Sequence, residues 1–510
     1  MTSGRTMQHS IVVALLFAMS WTFVAARPAA AATIVVDGVT CTLADAITAA
    51  NSDTATGGCP AGSGADTLDL VADITLTSRL PAIVSNVTIL GNNHTVRRDP
   101  VAPEFGILWI ESYHYATIDN ITLTGGRDGS GGAILALYEA NVTISNSRIV
   151  DNSAYRGGGI HCDVCYITLS NSVISNNRAT TLGGGINGRG VFRMINNEET
   201  GFDQQKPSHV GGLTVQLRNS TLSNNEAPSG GGLAIEGVGT FRLESSTVHG
   251  NSAVLGGGIY CLDSDGYIES STFSSNTADQ KGGAIFNHSS TLQPNHGLIE
   301  LRNSTITNNS SPVGSGLYNQ DDGAIFPPHQ VATLRPYNSI LAAQADGIDC
   351  VNVGKAVVES QGFNIESATS CGFTAAGDQQ NVTAAQLNLA PLANNGGTTW
   401  THALIPGSAA IDQGNCPDVT ADQRGFPRPV DLPGIPNAAD GCDVGAYEAE
   451  APLAVTVLTF EAEDLDSNSP PLFLIVAVLV TSLLLVTRWK NGRRVAANRH
   501  LTMPHSSQER

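Results

Sequence analysis

Over the middle of the chain, apolar and polar residues alternate in short runs. Val142 and Ile144, Val215 and Leu217, Phe241 and Leu243, and Ile299 and Leu301 are each two apart, the period of strands with one buried face. No run is long enough, or periodic enough at 3.6, for a helix. Three such runs, separated by Asn, Ser and Gly turns, form a unit that recurs. Aligned on one asparagine, "NSRIVDNSAYRGGGI" places Asn152, "NSVISNNRATTLGGGI" Asn177 and "NSTLSNNEAPSGGGL" Asn225. "SSTVHGNSAVLGGGI" places Asn251, "STFSSNTADQKGGAIFNH" Asn276 and "NSTITNNSSPVGSGL" Asn309. The spacings are 25, 48, 26, 25 and 33 residues, so two copies contain insertions. An incomplete copy runs from Asn120 to Ile134, and a degenerate one follows at Tyr337–Leu341.

One such unit cannot bury its apolar face alone, so neighbours must stack. Three short strands per turn, each paired with its counterpart one turn along at ~4.8 Å, predict a parallel β-helix. The fold class expected is all-β: a right-handed parallel β-helix solenoid with an N-terminal cap, plus one C-terminal transmembrane helix. Handedness follows the usual rule for parallel crossovers. Phe273 and its equivalents Ile149, Ile174, Leu222, Val248 and Ile306 should fill the interior. The asparagine three positions later should turn inward at a corner and bond its counterparts above and below. The Gly-Gly pair supplies a backbone with positive φ. On this reading the repetition is architecture, not chemistry.

Composition agrees with a turn-rich β protein: 54 glycines, with 5% aromatic and 14% charged residues. Residues 1–32 carry Arg5, the apolar run Ile11–Ala26 and Ala30-Ala31-Ala32, the pattern of a secretory signal peptide. Leu472–Val486 is uncharged and precedes Arg488, Trp489, Lys490, Arg493 and Arg494. That pattern predicts a membrane helix with its basic tail on the cytoplasmic side. The expected division is 1–32 signal peptide, 33–65 N-terminal cap, 66–375 β-helix, 376–450 C-terminal region, 451–471 stalk, 472–487 transmembrane helix and 488–510 cytoplasmic tail. Residues 33–487 hold 18 of the 26 Lys+Arg and 44 of the 45 Asp+Glu, a net charge of −26. So acidic a region argues against DNA or RNA as a partner.

Nine cysteines in an exported chain point to disulfides. The local pairs expected are Cys41–Cys59, Cys162–Cys165, Cys350–Cys371 and Cys416–Cys442, leaving Cys261 alone. A single C-x-x-C at Cys162 and Cys165 is a weak zinc signal.

Phe-x-x-Asn followed by Gly-Gly-Ala-Ile resembles the repeat of the polymorphic outer-membrane proteins, β-helical surface adhesins. The likeness covers roughly residues 118–320. Those proteins end in a membrane β-barrel, whereas a helix is expected here. "CTLADAITAAN", Cys41–Asn51, is similar to the CSLREA motif that opens many secreted bacterial β-helix proteins, with Thr42 and Ala44 in place of Ser and Arg. Its Leu43, Ala46, Ile47 and Ala50 fall at helical spacing, as a cap over the first coil requires. "LAPLANNGGTTWTHALIPGSAAIDQGN", "TADQRGFPRP" and "CDVGAYE", within Leu389–Glu448, resemble the choice-of-anchor Q domain. That resemblance implies a bacterial cell-surface protein with no defined activity.

The β-helix also hosts polysaccharide lyases and hydrolases, so catalysis has to be weighed. The Asn-Thr-Asp, Asp-Asp, Gly-His-Gly and Arg-Ile-Lys signatures of pectin hydrolases do not occur together, and no catalytic residue is assigned. His249 in "VHGN" occupies an ordinary strand position. Asp263 and Asp265 in "CLDSDG" and Asp321 and Asp322 in "NQDDG" are the candidate Ca²⁺ ligands, with turn chemistry as the competing reading. No other cofactor is expected. Sequons occur at Asn86, Asn120, Asn141, Asn219, Asn303 and Asn381. Asn219 and Asn303 recur at one repeat position, which turn composition explains. Three insertions, Arg189–Thr214, Ser289–Gly297 and Asp321–Ala332, follow equivalent strands and should share one edge of the column. The first carries Arg193, Glu198, Glu199, Asp203, Lys206 and His209, the expected contact with a glycan or partner protein. The leading expectation is a membrane-anchored, non-catalytic surface adhesin or binding protein. A surface polysaccharide-degrading enzyme and a structural stalk are the alternatives.

Overall fold

The computed structural model describes residues 31–190, 213–290, 297–323, 331–345 and 347–450. The signal segment, the stalk, the predicted span at 472–487 and the basic tail lie outside the described residues. Among the described residues no helix is long and apolar enough to cross a membrane.

The chain winds into a column of parallel strands. One turn shows the plan: Asn141–Ser145, Arg148–Val150, Ser153–Arg156 and Ile160–Asp163, after which Tyr166–Ser170 pairs with Asn141–Ser145 and starts the next rung. Stacking these strands produces four parallel sheets. Sheet I has twelve strands, from Thr33–Val36 to Val357–Val358, and sheet II eleven, from Ile74–Leu76 to Ile365–Glu366. Sheet III has six, from Arg127–Ser130 to Thr277–Lys281, and sheet IV nine, from Leu108–Ile110 to Cys350–Gly354.

Three strands per turn were expected and four are found. The additional strand, sheet III, buries only a single small residue per rung: Ala154, Ala179, Ala227, Ala253 and Ala278. One buried alanine per strand is too short a signal to produce an apolar alternation in the sequence.

The interior is filled as the alternation requires. Ile149, Ile174, Leu222, Val248, Phe273 and Ile306 stack in register along sheet II, each no more than 1% exposed. Where sheet III turns into sheet IV, the two glycines do different work. Gly157 has φ +61°, the left-handed region, while a Cβ on Gly158 would lie 2.4 Å from the carbonyl oxygen of Gly184 one rung on.

The N-terminal helix Leu43–Ser52 starts at Thr42, whose hydroxyl accepts from the Asp45 N–H. It buries Leu43, Ala46, Ile47, Ala49 and Ala50 over the open end of the core and packs against Thr33–Val36 and Asp66–Leu70. Thr33–Val36 already pairs in sheet I, so the column begins ahead of its helix rather than after it.

Residues 376–450 form a second apolar cluster, with Val382, Leu387, Leu404, Ile411 and Val444 packed on Ile340 and Ile365. Two buried ion pairs hold it, Arg424–Asp422 at 2.8 Å and Arg428–Glu448 at 3.0 Å. This region lies along the outward face of sheet II. Thr247 Oγ1 donates to the Trp400 carbonyl at 2.7 Å, and Thr272 Oγ1 to Gln423 Oε1 at 2.6 Å. Ser274 Oγ and His402 Nε2 are 2.9 Å apart, and Ala446 N donates to Thr305 Oγ1 at 3.0 Å. Hydroxyls that a bare column would expose are therefore buried. The four disulfides are Cys41–Cys59, Cys162–Cys165, Cys350–Cys371 and Cys416–Cys442, and Cys261 is a buried free thiol.

Candidate binding surfaces of the column

Two corners of the column are held by files of polar side chains. Asn152, Asn177, Asn225, Asn251, Asn276 and Asn309 follow one another at the corner between sheets II and III, each no more than 2% exposed. Every Oδ1 from Asn177 onward accepts from both the backbone N–H and the Nδ2 of the asparagine one rung earlier, at 2.9–3.2 Å. In the degenerate last copy Gln344 takes the position, its Oε1 accepting from Asn309 N at 3.0 Å.

A second file escaped the sequence reading. At the corner between sheets I and II, Ser172 Oγ accepts from Ser147 N, Ser220 Oγ from Ser172 N, and Ser246 Oγ from Ser220 N, at 3.1–3.2 Å. Ser271, Ser304 and Ser339 continue it. The signal was the recurrent Asn-Ser dipeptide. Its Asn supplies the left-handed turn, with φ of 50°, 49°, 48° and 47° at Asn146, Asn171, Asn219 and Asn303. The sequons at Asn219 and Asn303 are this turn.

The candidate Ca²⁺ ligands are spread among loop closures. Asp263 accepts from Ser290 N and Ser290 Oγ, both at 2.6 Å, and Asp265 Oδ1 accepts from Gly297 N and Leu298 N, both at 3.0 Å. Together they grip the entry and exit of one insertion. Asp321 does the same for the next, accepting from Gly323 N at 2.6 Å and Ala332 N at 3.3 Å. Asp322 bonds His288 Nε2 and Gln320 Nε2, both at 2.7 Å. Burial raises its pKa, but the Gln320 and His288 contacts outweigh that and hold it below the ordinary range. Among the described residues, the one Cys/His/Asp/Glu group within ligand distance is Cys416, Asp440 and Cys442, and its two sulfurs are joined in a disulfide.

His249 stacks on Trp400, ring centroids 5.5 Å apart, and burial lowers its pKa. It belongs to the contact with the C-terminal region. Arg193, Glu198, Glu199, Asp203, Lys206 and His209 lie outside the described residues. The strands that lead into the three insertions, ending at Arg189, Ser289 and Asp321, all belong to sheet IV, and the chain resumes each time in sheet I.

The surface that sequence reasoning missed is the outward face of sheet I. Register brings Gln216, Arg242, Tyr267, Glu300 and Arg335 into one row, and Arg218, Glu244, Glu269, Arg302 and Tyr337 into the next. Glu244 lies 2.6 Å from Arg218 and also bonds Arg242, whose guanidinium sits 4.1 Å over the Tyr267 ring. Burial alone would lower the pKa of Arg242, but Glu244 raises it overall. Burial and Glu269 push the Tyr267 hydroxyl up to about 12. Arg335 pairs with Glu359 at 2.8 Å. Toward the C-terminal end of the face, an open cavity of about 260 Å³ is lined by Glu300, Arg302, Arg335, Tyr337, Gln361, Pro417 and Asp418. Exposed pairs of this kind add little stability. They do hold guanidinium, carboxylate and phenol groups at fixed intervals on a rigid sheet.

A family model described as the right handed beta helix region matches residues 77–277. One described as the Chlamydia polymorphic membrane protein repeat matches residues 270–288. No curated protein matches the chain. The chain is thus similar to a right-handed β-helix over most of its column, and to that repeat over one rung of it.

Proposed function

We propose that this is a non-catalytic protein of the cell surface whose column is a rigid platform for a glycan or a partner protein. The observation that carries the reading is the charged, tyrosine-bearing lattice on sheet I, which repeats once per rung and ends in the Arg302–Arg335 cavity. The likeness to the polymorphic membrane protein repeat supports a surface location. So does the disulfide-linked column, which suits an oxidising compartment. Within this reading residues 1–32 direct export and the CSLREA-like helix caps the column. The choice-of-anchor Q-like region leads into the stalk, and 472–487 anchors the chain with its tail in the cytoplasm.

The test is a polysaccharide and cell-attachment screen of the full chain, scored for binding and for cleavage. Native protein should bind without cleaving, and Arg302→Ala with Arg335→Ala should weaken capture by at least about tenfold. Capture unchanged by that pair would sink the platform reading. Release of shortened sugars would favour a polysaccharide lyase or hydrolase.

A further inference from the structure

Asp66 opens the strand Asp66–Leu70 on the inward face that it shares with Leu68 and Leu70, where the helix Leu43–Ser52 packs. It is 0% exposed. Oδ1 accepts from Ser63 N at 2.7 Å and from Ala32 N at 3.0 Å, whereas Oδ2 is buried with no hydrogen-bond partner. Gly62 closes over that second oxygen: a Cβ there would lie 2.4 Å from Oδ2 and 2.7 Å from the Ala49 carbonyl oxygen.

A carboxylate sealed on an apolar face calls for a cation. The cap has no side chain to supply one. Residues 33–78 hold six aspartates and no Lys, Arg or His. The next basic residue, Arg79, pairs with Asp128 at 2.6 Å. Of the two nitrogens at Asp66 Oδ1, that of Ala32 becomes a cation if the chain is cut just before it.

Ala32 leads into Thr33–Val36, a four-residue strand at the edge of sheet I, and its carbonyl accepts from Thr67 N at 2.8 Å. Two cuts satisfy the small-residue rule for export leaders: after Ala31, with Ala29 two positions before it, and after Ala32, with Ala30. The second cut removes both bonds of Ala32 and leaves Asp66 with Ser63 N alone. The first keeps both and makes the donor to Asp66 a charged one.

We propose that the chain is processed between Ala31 and Ala32, and that the new α-ammonium of Ala32 forms an ion pair with Asp66 that locks the N-terminal cap. The inference rests on the export reading above and places the cut one residue before the boundary expected from the sequence. The step is a hydrolysis by the peptidase that removes the leader. The Ala31–Ala32 C–N bond breaks, and the oxygen of water joins the Ala31 carbonyl carbon as a carboxylate. Both protons of that water go to Ala32 N, which leaves as an ammonium, and nothing is oxidised or reduced. Before the cut the contact with Asp66 is an amide hydrogen bond. Afterwards it is charge-assisted, roughly twice as strong, at a carboxylate that solvent does not reach.

The first experiment is N-terminal sequencing of the full chain, expressed with its leader in an exporting host. It should read Ala-Thr-Ile-Val-Val, from Ala32. An uncut chain would overturn the export reading and this inference together, whereas a terminus at Thr33 or elsewhere would overturn this inference alone. The lock itself is read by amide exchange on chains that run to Arg510 from Ala32 or from Ala31. Keeping Ala31 should speed exchange within 34–36 and 43–52 by about tenfold, with the strand around Ile149 unchanged. Asp66→Asn should speed it in the chain that starts at Ala32 and add little in the chain that keeps Ala31. Should Asp66→Asn fail to fold, the comparison of the two native chains decides. Equal exchange in those two chains would show that the charge on Ala32 holds nothing, and would overturn the lock.

Discussion

Asn177 donates from Nδ2 to Oδ1 of Asn225 at 3.0 Å, although 48 residues separate them in the chain. Asn152 makes the same bond to Asn177 across only 25 residues. The insertion after Arg189 therefore leaves the corner geometry untouched. Loop length is nearly free for such a column, because closing a longer loop costs entropy only slowly, whereas a missed rung would strand buried amides.

Asn225 should be among the least replaceable residues. Its Oδ1 accepts two bonds from Asn177, and its Nδ2 donates to the Ile174 carbonyl and to Asn251 Oδ1, all at 3.0 Å. At 1% exposure no water substitutes. Asn225→Ala should cost about 2–4 kcal/mol, read as a lower urea midpoint. A change under about 0.5 kcal/mol, the size typical of a surface substitution, would contradict the ladder's importance.

Gly266 exists for Phe241. A Cβ at Gly266 would sit 2.2 Å from Phe241 Cζ, one rung below in sheet I. Gly266→Ala should lower stability by about 1–3 kcal/mol through overpacking. Adding Phe241→Leu should recover part of that loss in a double-mutant cycle. Strict additivity would show that the ring does not set the glycine.

Gln423 pins the C-terminal region to the column. Its Nε2 reaches Thr247 Oγ1 at 2.9 Å and Thr399 Oγ1 at 3.0 Å, while Oε1 accepts from Thr272 at 2.6 Å. Gln423→Ala should weaken this docking by about 2 kcal/mol. Amide exchange should speed up within 376–450 and stay unchanged near Ile149 and Ile174. Uniform acceleration across both would mean that the two regions unfold as one.

Two buried carboxyls set a pH dependence. Burial pushes Asp349 up to about 7, and burial with the nearby Glu448 pushes Asp443 up to about 7, both from an ordinary value of 3.8. The native state holds these protons after the unfolded chain has lost them. Their contribution is therefore complete below about pH 4 and declines as pH rises toward 7. Asp349→Asn keeps an acceptor for Ser367 N, which now bonds the carboxylate at 2.7 Å. The variant should flatten the fall in melting temperature between pH 4 and 7.5. An unchanged slope would remove Asp349 from the account.

Much of this molecule is written in its local pattern. A two-residue apolar period, an asparagine every 25 residues and a glycine pair fix which side chains face inward and where the chain turns, because each is a constraint within a single rung. The interior row from Ile149 to Ile306, the asparagine file and the pairing of eight cysteines all follow from residues near one another in sequence.

Contacts along the column are another matter. Strand polarity says that Thr247, Arg242 and His161 point outward, and it is silent about what meets them there. Only stacking at one register decides that Arg242 sits over Tyr267 and that His161 stands between Leu135 and Asn187, and only docking of the C-terminal region puts Trp400 on Thr247. The reason is physical. Inward facing is imposed by the hydrophobic effect one residue at a time, whereas an outward neighbour is chosen by strand register one turn along, 26 residues away for Leu135 and His161, or by docking of the C-terminal region, 153 residues away for Thr247 and Trp400.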